Sequence, residues 1–221
     1  ILLMIAPISL FNIIITTDTP LFIFSFLSVM CVLQAIRNND AWCWFALGGL
    51  FLGLAFFSKY FACLLGLAYA VYFLFVAPNR ARLIGLGLLV LFTLPFALQN
   101  IYWNYQHDWS NILFNIYNRN NDMGFSIKTL FGYLFILLYL ITPPLVLAVA
   151  KFPKQQLKQQ ALFYFFFIPL LIFFLLSSVK PIGLHWPLAF IPFIYVWAGL
   201  YLSIESLRKL LLELCAKFGI S

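Results

Sequence analysis

Charge is what this chain has least of. Only 9% of its 221 residues are charged and only six are acidic, whereas an ordinary soluble domain is roughly a quarter charged. That excludes a soluble catalytic domain and leaves a bilayer as the expected solvent. Titratable metal ligands are equally sparse, with two histidines and four cysteines. Cys31, Cys43, Cys63 and Cys215 lie far apart with no CxxC spacing, and three fall inside apolar runs where cysteine packs as a small hydrophobe. Neither a disulfide framework, a metal site nor a cofactor is expected. Gly85-Leu86-Gly87 lacks the preceding strand and third glycine of a nucleotide loop. No initiator methionine, charged leader or cleavage signal is present, and the chain opens at Ile1 inside an apolar run. The natural protein is therefore expected to extend upstream.

What is there in quantity is hydrocarbon: 65% of residues are hydrophobic and mean hydropathy is +1.03. At about 20 apolar residues per span, the chain has room for some eight helices. Punctuation divides it into apolar stretches at roughly 1–15, 20–36, 41–57, 60–77, 83–102, 127–150, 161–179 and 187–204. The expected fold class is all-α, a polytopic transmembrane helical bundle over 1–204 followed by a cytoplasmic amphipathic helix over 205–221. In that last segment Leu207, Leu210, Leu211 and Leu214 oppose Glu205, Lys209, Glu213 and Lys217. Residues 41–77 need a turn, since as one helix they would reach roughly 55 Å at 1.5 Å per residue, against a hydrocarbon core of about 30 Å. Ser58-Lys59-Tyr60 is where that turn is expected.

With the turn in place, alternate connections fall on alternate sides. Arg37, Arg80, Arg82, Lys151, Lys154, Lys158, Arg208, Lys209 and Lys217 gather on one side, and Lys59, Arg119, Lys128 and Lys180 on the other. The positive-inside rule puts the first group in the cytoplasm. The net charge of +7 thus reports topology, and the scattered basic residues form no nucleic-acid face. The outer loop from Trp103 to Ser126 is expected to hold a surface helix, with Trp109, Ile112, Leu113, Ile116 and Tyr117 on one face and Asn111, Asn115 and Asn118 on another.

The unusual polar residues then share the outer side: Asp18, Lys59, Asn100, Asn104, His107, Asp108, Arg119, Asp122, Lys180 and His185. Each has a plain explanation. Asp18 before Pro20 fits a helix cap, Lys59 a snorkelling cation, and Trp186 beside His185 an interfacial anchor. Gly49 and Gly53 match the GxxxG spacing of close helix packing. Together, three cations on one side with an acid nearby fit an anionic lipid headgroup. A transporter would instead place ionisable groups near the midplane.

Those residues also carry a resemblance. Thr17-Asp18-Thr19-Pro20-Leu21, Gly53-Leu54-Ala55-Phe56-Phe57-Ser58-Lys59-Tyr60, Pro95, Trp103-Asn104, His107-Asp108-Trp109, Arg119 and His185-Trp186-Pro187 occur in an order that resembles the bacterial branch of glycosyltransferase family 39. That family, of the membrane-embedded GT-C fold, includes protein O-mannosyltransferases and the lipid A aminoarabinose transferase. The resemblance implies a polyprenyl-phosphate sugar donor, inverting transfer to a lipid, glycan or protein acceptor, and an active face on the periplasmic side of a bacterial inner membrane. It implies that Asp18 is catalytic and that Lys59 contacts the carrier phosphate. It places Arg119 and His185 at polar positions lining the same cavity, and with Lys180 and Asn104 these are the candidate substrate-binding residues. It also implies a main catalytic carboxylate in a first outer loop that would precede Ile1, so that the fragment alone would be inactive. The runner-up is a transporter or flippase for a lipid-linked or amphiphilic substrate.

Overall fold

The structure is a computed structural model that describes residues 18–114, 124–142 and 161–201. Among these residues all regular structure is helical: α1 Asp18–Arg37, α2 Trp42–Ser58, α3 Ala62–Val71, α4 Arg80–Gln106, the single turn α5 Ser110–Leu113, α6 Ile127–Ile141, α7 Ala161–Ser177 and α8 Ile191–Tyr201. α3 runs on into a π turn, Tyr72–Val76, and a 3-10 turn, Pro187–Ala189, precedes α8. Each helix except α5 falls on an expected apolar stretch, and α5 stands where the surface helix was expected. The stretch 1–15, the end of 127–150 and the helix expected over 205–221 lie outside the described residues. By length and composition α1 and α4 are long and apolar enough to cross a membrane, while the other apolar helices are shorter.

The chain reverses at Lys59, where the turn was expected. Lys59 closes α2 by donating its backbone N–H to Ala55 O, with φ −163° and ψ 137°. This is extended backbone that any residue adopts, so the turn makes no demand for glycine or asparagine. α4 differs from expectation, continuing to Gln106 where the apolar run ends near residue 102. Its last turn is secured by polar side chains reaching back along the helix: Asn104 Nδ2 donates to Asn100 O at 2.8 Å, and Gln106 Nε2 to Tyr102 Oη at 2.7 Å. At 27 residues the helix is about 40 Å long, longer than a hydrocarbon core of about 30 Å. Trp103 and Asn104 therefore belong to the helix, and the loop begins at His107.

α2 is the central helix, held between α1 and α4. Gly48, Gly49 and Gly53 are all buried along it. A Cβ on Gly49 would lie 2.6 Å from Leu89 O and 2.9 Å from Leu89 Cα, so it is α4's backbone that occupies the space. A Cβ on Gly53 would run into the Phe96 ring. Thr93 Oγ1 sits 2.9 Å from Gly49 O and 2.8 Å from Leu89 O, a hydroxyl shared across the same seam. On the other face Ser28 donates to Gly48 O at 2.8 Å and receives the Tyr69 hydroxyl at 3.0 Å, joining α1, α2 and α3. The GxxxG expectation holds, with α4 as the partner.

A second polar cluster, unforeseen in the sequence, sits at the opposite end of the bundle from Lys59. Asp40 is buried, with φ 60° in a left-handed Asn39-Asp40 turn. Its carboxylate accepts from Asn79 Nδ2 at 3.0 Å and Arg82 Nε at 3.1 Å, and Arg82 also donates to Ala77 O at 3.3 Å. These bonds clamp the α1–α2 turn to the start of α4. Asp40→Ala is expected to cost about 3 kcal/mol, because it strands a partly buried guanidinium. Thermal unfolding in detergent, compared with Asp40→Asn as the milder change, checks this.

Candidate functional site

The helices alternate in direction, which decides what meets at each end. α1 begins, α2 ends, α3 begins, α4 ends, α6 begins, α7 ends and α8 begins at one end of the bundle. Ser126, ahead of α6, donates its backbone N–H to Ser178 O, just past α7, at 2.8 Å. Asp18, Lys59, Asn104, Lys180 and His185 thus share one end, and Arg37, Asp40, Arg80 and Arg82 occupy the other. Arg119 lies outside the described residues.

At the centre of the polar end Lys59 Nζ donates to Asp18 Oδ1 at 2.5 Å, with both side chains about one-fifth exposed. Asp18 stands in the first turn of α1, where the unpaired backbone N–H groups of a helix favour a carboxylate. An ammonium carries three donors, so the ion pair leaves two for another acceptor. Lys59 Nζ also lies 5.3 Å from the Phe61 ring centroid. Phe61 in turn packs on Trp186 at 4.8 Å, and Lys180 Nζ lies 5.7 Å from the Trp186 ring. This run of aromatic rings connects the Lys59 turn to the segment carrying Lys180 and His185. Trp186 is buried, so its ring is a packing element, where an interfacial anchor was expected. His185 is exposed.

Sequence reasoning named Asn100 and Asn104 among the outer polar residues but missed the Tyr60 phenol that joins them to this pair. Tyr60 Oη donates to Asn100 Oδ1 at 3.1 Å and accepts from Asn111 Nδ2 at 3.1 Å. Asn104 Nδ2 donates to both Asn100 O and Asn100 Oδ1. Asn104 is fully buried, and its Oδ1 has no partner among the described residues. Its amide hydrogens are thus committed, and only the carbonyl remains for a ligand. The helical spacing of the asparagines placed Asn111 on a face apart from Trp109, and Asn111 is bonded to Tyr60. Asn115 and Asn118 lie outside the described residues. The loop is reached through a strained turn, with Asp108 and Trp109 both left-handed at φ 53° and 57°.

No three histidine, cysteine or acidic side chains among the described residues converge as a metal set. Apolar cavities open along the bundle among the described residues. One of about 320 Å³ opens between α3 and α4 over Leu52 and Phe56 of α2, and one of about 410 Å³ lies among α6, α7 and α8. Neither is lined by the charged residues, but Phe56 and Ala97 bring the first to within one helical turn of Tyr60 and Asn100.

This is a helical bundle with an acid–cation pair and an amide cluster at one end. Residues 1–103, just under half of the chain, match the family model of dolichyl-phosphate-mannose-protein mannosyltransferases, so that part of the chain is similar to this family. The match takes in Asp18, Lys59, Tyr60 and Asn100, and stops short of Asn104, Lys180 and His185. No curated protein and no solved structure gives a significant match.

Proposed function

We propose that this chain is part of a membrane-embedded glycosyltransferase that moves a sugar from a polyprenyl-phosphate donor to a lipid, glycan or protein acceptor at the periplasmic face of a bacterial inner membrane. The observation that carries this reading is the Asp18–Lys59 pair, standing at the polar end of an apolar bundle and inside the segment that matches the mannosyltransferase family. The bundle's surface supports a bilayer as its solvent. Phe75 and Phe125 are 78% exposed and Phe135 69%, while Ser25, Ser28, Asn104 and Ser177 are buried, the reverse of a water-soluble surface.

In the transfer, an acceptor oxygen bonds to the anomeric carbon as the bond from that carbon to the phosphate oxygen breaks. The electron pair leaves on the phosphate, and the acceptor's proton passes to a carboxylate. Lys59 is placed to meet the phosphate with its two remaining donors, a charge-assisted contact that strengthens as the leaving group gains charge. Asp18 orients that ammonium and can accept from a sugar hydroxyl. Lys180, His185, Arg119 and the carbonyl of Asn104 are proposed to line the sugar and acceptor region. The cavity between α3 and α4 suits the apolar tail.

Asp18→Asn in the full-length protein tests the pairing. It keeps the shape and removes the charge that aims Lys59, so turnover is expected to fall about tenfold, equivalent to about 1.4 kcal/mol, with donor affinity held. The assay is transfer of labelled sugar from a polyprenyl-phosphate donor, with donor binding measured in parallel. Unchanged turnover would remove Asp18 from the reaction and leave it a helix-terminal acid.

A further inference from the structure

Lys59 and Tyr60 are neighbours in one turn, yet their side chains are tied to opposite sides of the bundle. Lys59 reaches α1 through Asp18. Tyr60 rests its ring on Phe56 of α2, at 5.5 Å between centroids, and extends its hydroxyl to α4 at Asn100 and to α5 at Asn111. The hydroxyl's single proton goes to Asn100 and it accepts one hydrogen from Asn111. Asn100 Oδ1 receives both Tyr60 and Asn104. Backbone bonds add to the tie, since Ala62 N–H donates to Lys59 O and Cys63 N–H to Tyr60 O at the start of α3. Asn104 cannot replace Tyr60, because both of its amide hydrogens are already placed on Asn100.

We propose that Tyr60 is a positioning residue: its hydroxyl latches the loop after α4 to the turn that carries Lys59, and so fixes the direction from which the ammonium meets the donor phosphate. The inference rests on the transferase reading for its kinetic consequence, though the latch itself does not. Without the hydroxyl, the long lysine side chain still finds a phosphate in the ground state by rotating. The turn beneath it no longer holds that contact fixed as charge develops on the leaving oxygen.

The experiment uses the full-length protein in detergent or membranes with Tyr60→Phe, which keeps the ring on Phe56. Transfer from a labelled polyprenyl-phosphate sugar is expected to fall about five- to tenfold in kcat, with the donor KM within about twofold, the loss of one to two hydrogen bonds. In a Lys59→Arg background, where activity is partial, adding Tyr60→Phe should cost less than about twofold, because a residue acting through Lys59 is not additive with it. Asn111→Ala should reproduce the kcat effect. Amide hydrogen exchange supplies an arm independent of catalysis: Tyr60→Phe should speed exchange both at 59–64 and at 107–113. Exchange confined to 59–64 would overturn the latch. Multiplicative losses with Lys59→Arg, or wild-type kcat in Tyr60→Phe, would overturn the positioning role. A wild-type protein without transfer activity would defeat the transferase reading and the positioning role with it, while the exchange result would still decide the latch.

Discussion

Lys59→Ala in the full-length protein is expected to lower sugar transfer on the order of 10²-fold, the scale seen when one donor to a developing anion is removed, and to weaken donor binding with it. On the proposed function the two effects travel together, because the ammonium would meet a phosphate that is already charged in the ground state and becomes more so as the bond to the sugar breaks. Lys59 is the residue for this role on three grounds. It stands at the polar end, Asp18 holds it in a defined direction, and one-fifth of its side chain remains accessible. Lys59→Arg should recover part of the loss, since charge is kept but a planar fork replaces a compact point charge beside Asp18 and the Phe61 ring. Wild-type binding and transfer in Lys59→Ala would leave the lysine a snorkelling cation and remove the phosphate contact.

Gly49→Leu is expected to prevent the bundle from assembling. A Cβ there would meet the backbone of Leu89 at 2.6 Å, and backbone cannot step aside as a flexible side chain can. Four side-chain carbons in that space would force α2 and α4 apart along the seam that Thr93 and the buried glycines define. Overpacking of this kind costs typically 1–3 kcal/mol in a core that can relax, and more where the obstacle is main chain. The change should abolish recovery of monodisperse protein. Gly87→Ala is the matched control, because nothing lies within 4 Å of a Cβ at that position. It should be neutral or stabilising by up to about 1 kcal/mol, as alanine favours helix over glycine. Size-exclusion profiles and thermal unfolding of both variants in the same detergent check the contrast. Normal assembly of Gly49→Leu would show that α2 and α4 do not approach as closely as described.

Much of this architecture was legible because a bilayer-sized helix has a length limit. The apolar stretch 41–77 had to reverse, and Ser58-Lys59-Tyr60 offered the break, so α2 and α3 follow from length and composition. Alternation of direction then carries Asp18, Lys59, Lys180 and His185 to one end. The close seam at Gly49 and Gly53 could be read from spacing, although its partner could not, since spacing along α2 says nothing of which helix it faces. The extent of α4 was under-read because hydropathy marks where apolar residues stop. The helix itself stops where its backbone loses support, and here Asn104 supplies some by donating to Asn100 O, while Gln106 ties its side chain to that of Tyr102.

The unread contacts are those joining residues far apart in sequence through single polar atoms. Asp40 to Arg82, Tyr60 to Asn100 and Ser28 to Tyr69 each span about 40 positions. No periodicity links such pairs, and each residue alone has an ordinary explanation as turn former, interfacial aromatic or helix filler. Asp40 offered at most the hint of an Asn-Asn-Asp turn, a composition that tolerates left-handed backbone. Tyr60 stood only in the expected turn and at the end of a motif, beside the lysine that the sequence did single out, and neither pointed to Asn100.

If a bond between sugar and carrier phosphate is broken at the polar end of this bundle, the most direct measurement follows the two halves of the donor separately. The full-length protein, reconstituted in vesicles, is given a polyprenyl-phosphate sugar labelled in both sugar and phosphate, together with an acceptor extract. The sugar label is expected to move to the acceptor while the phosphate label stays with the prenyl chain, and Lys59→Ala is expected to suppress this separation. Movement of both labels together across the bilayer, with the donor intact, would contradict it and identify the protein as a carrier of lipid-linked sugar.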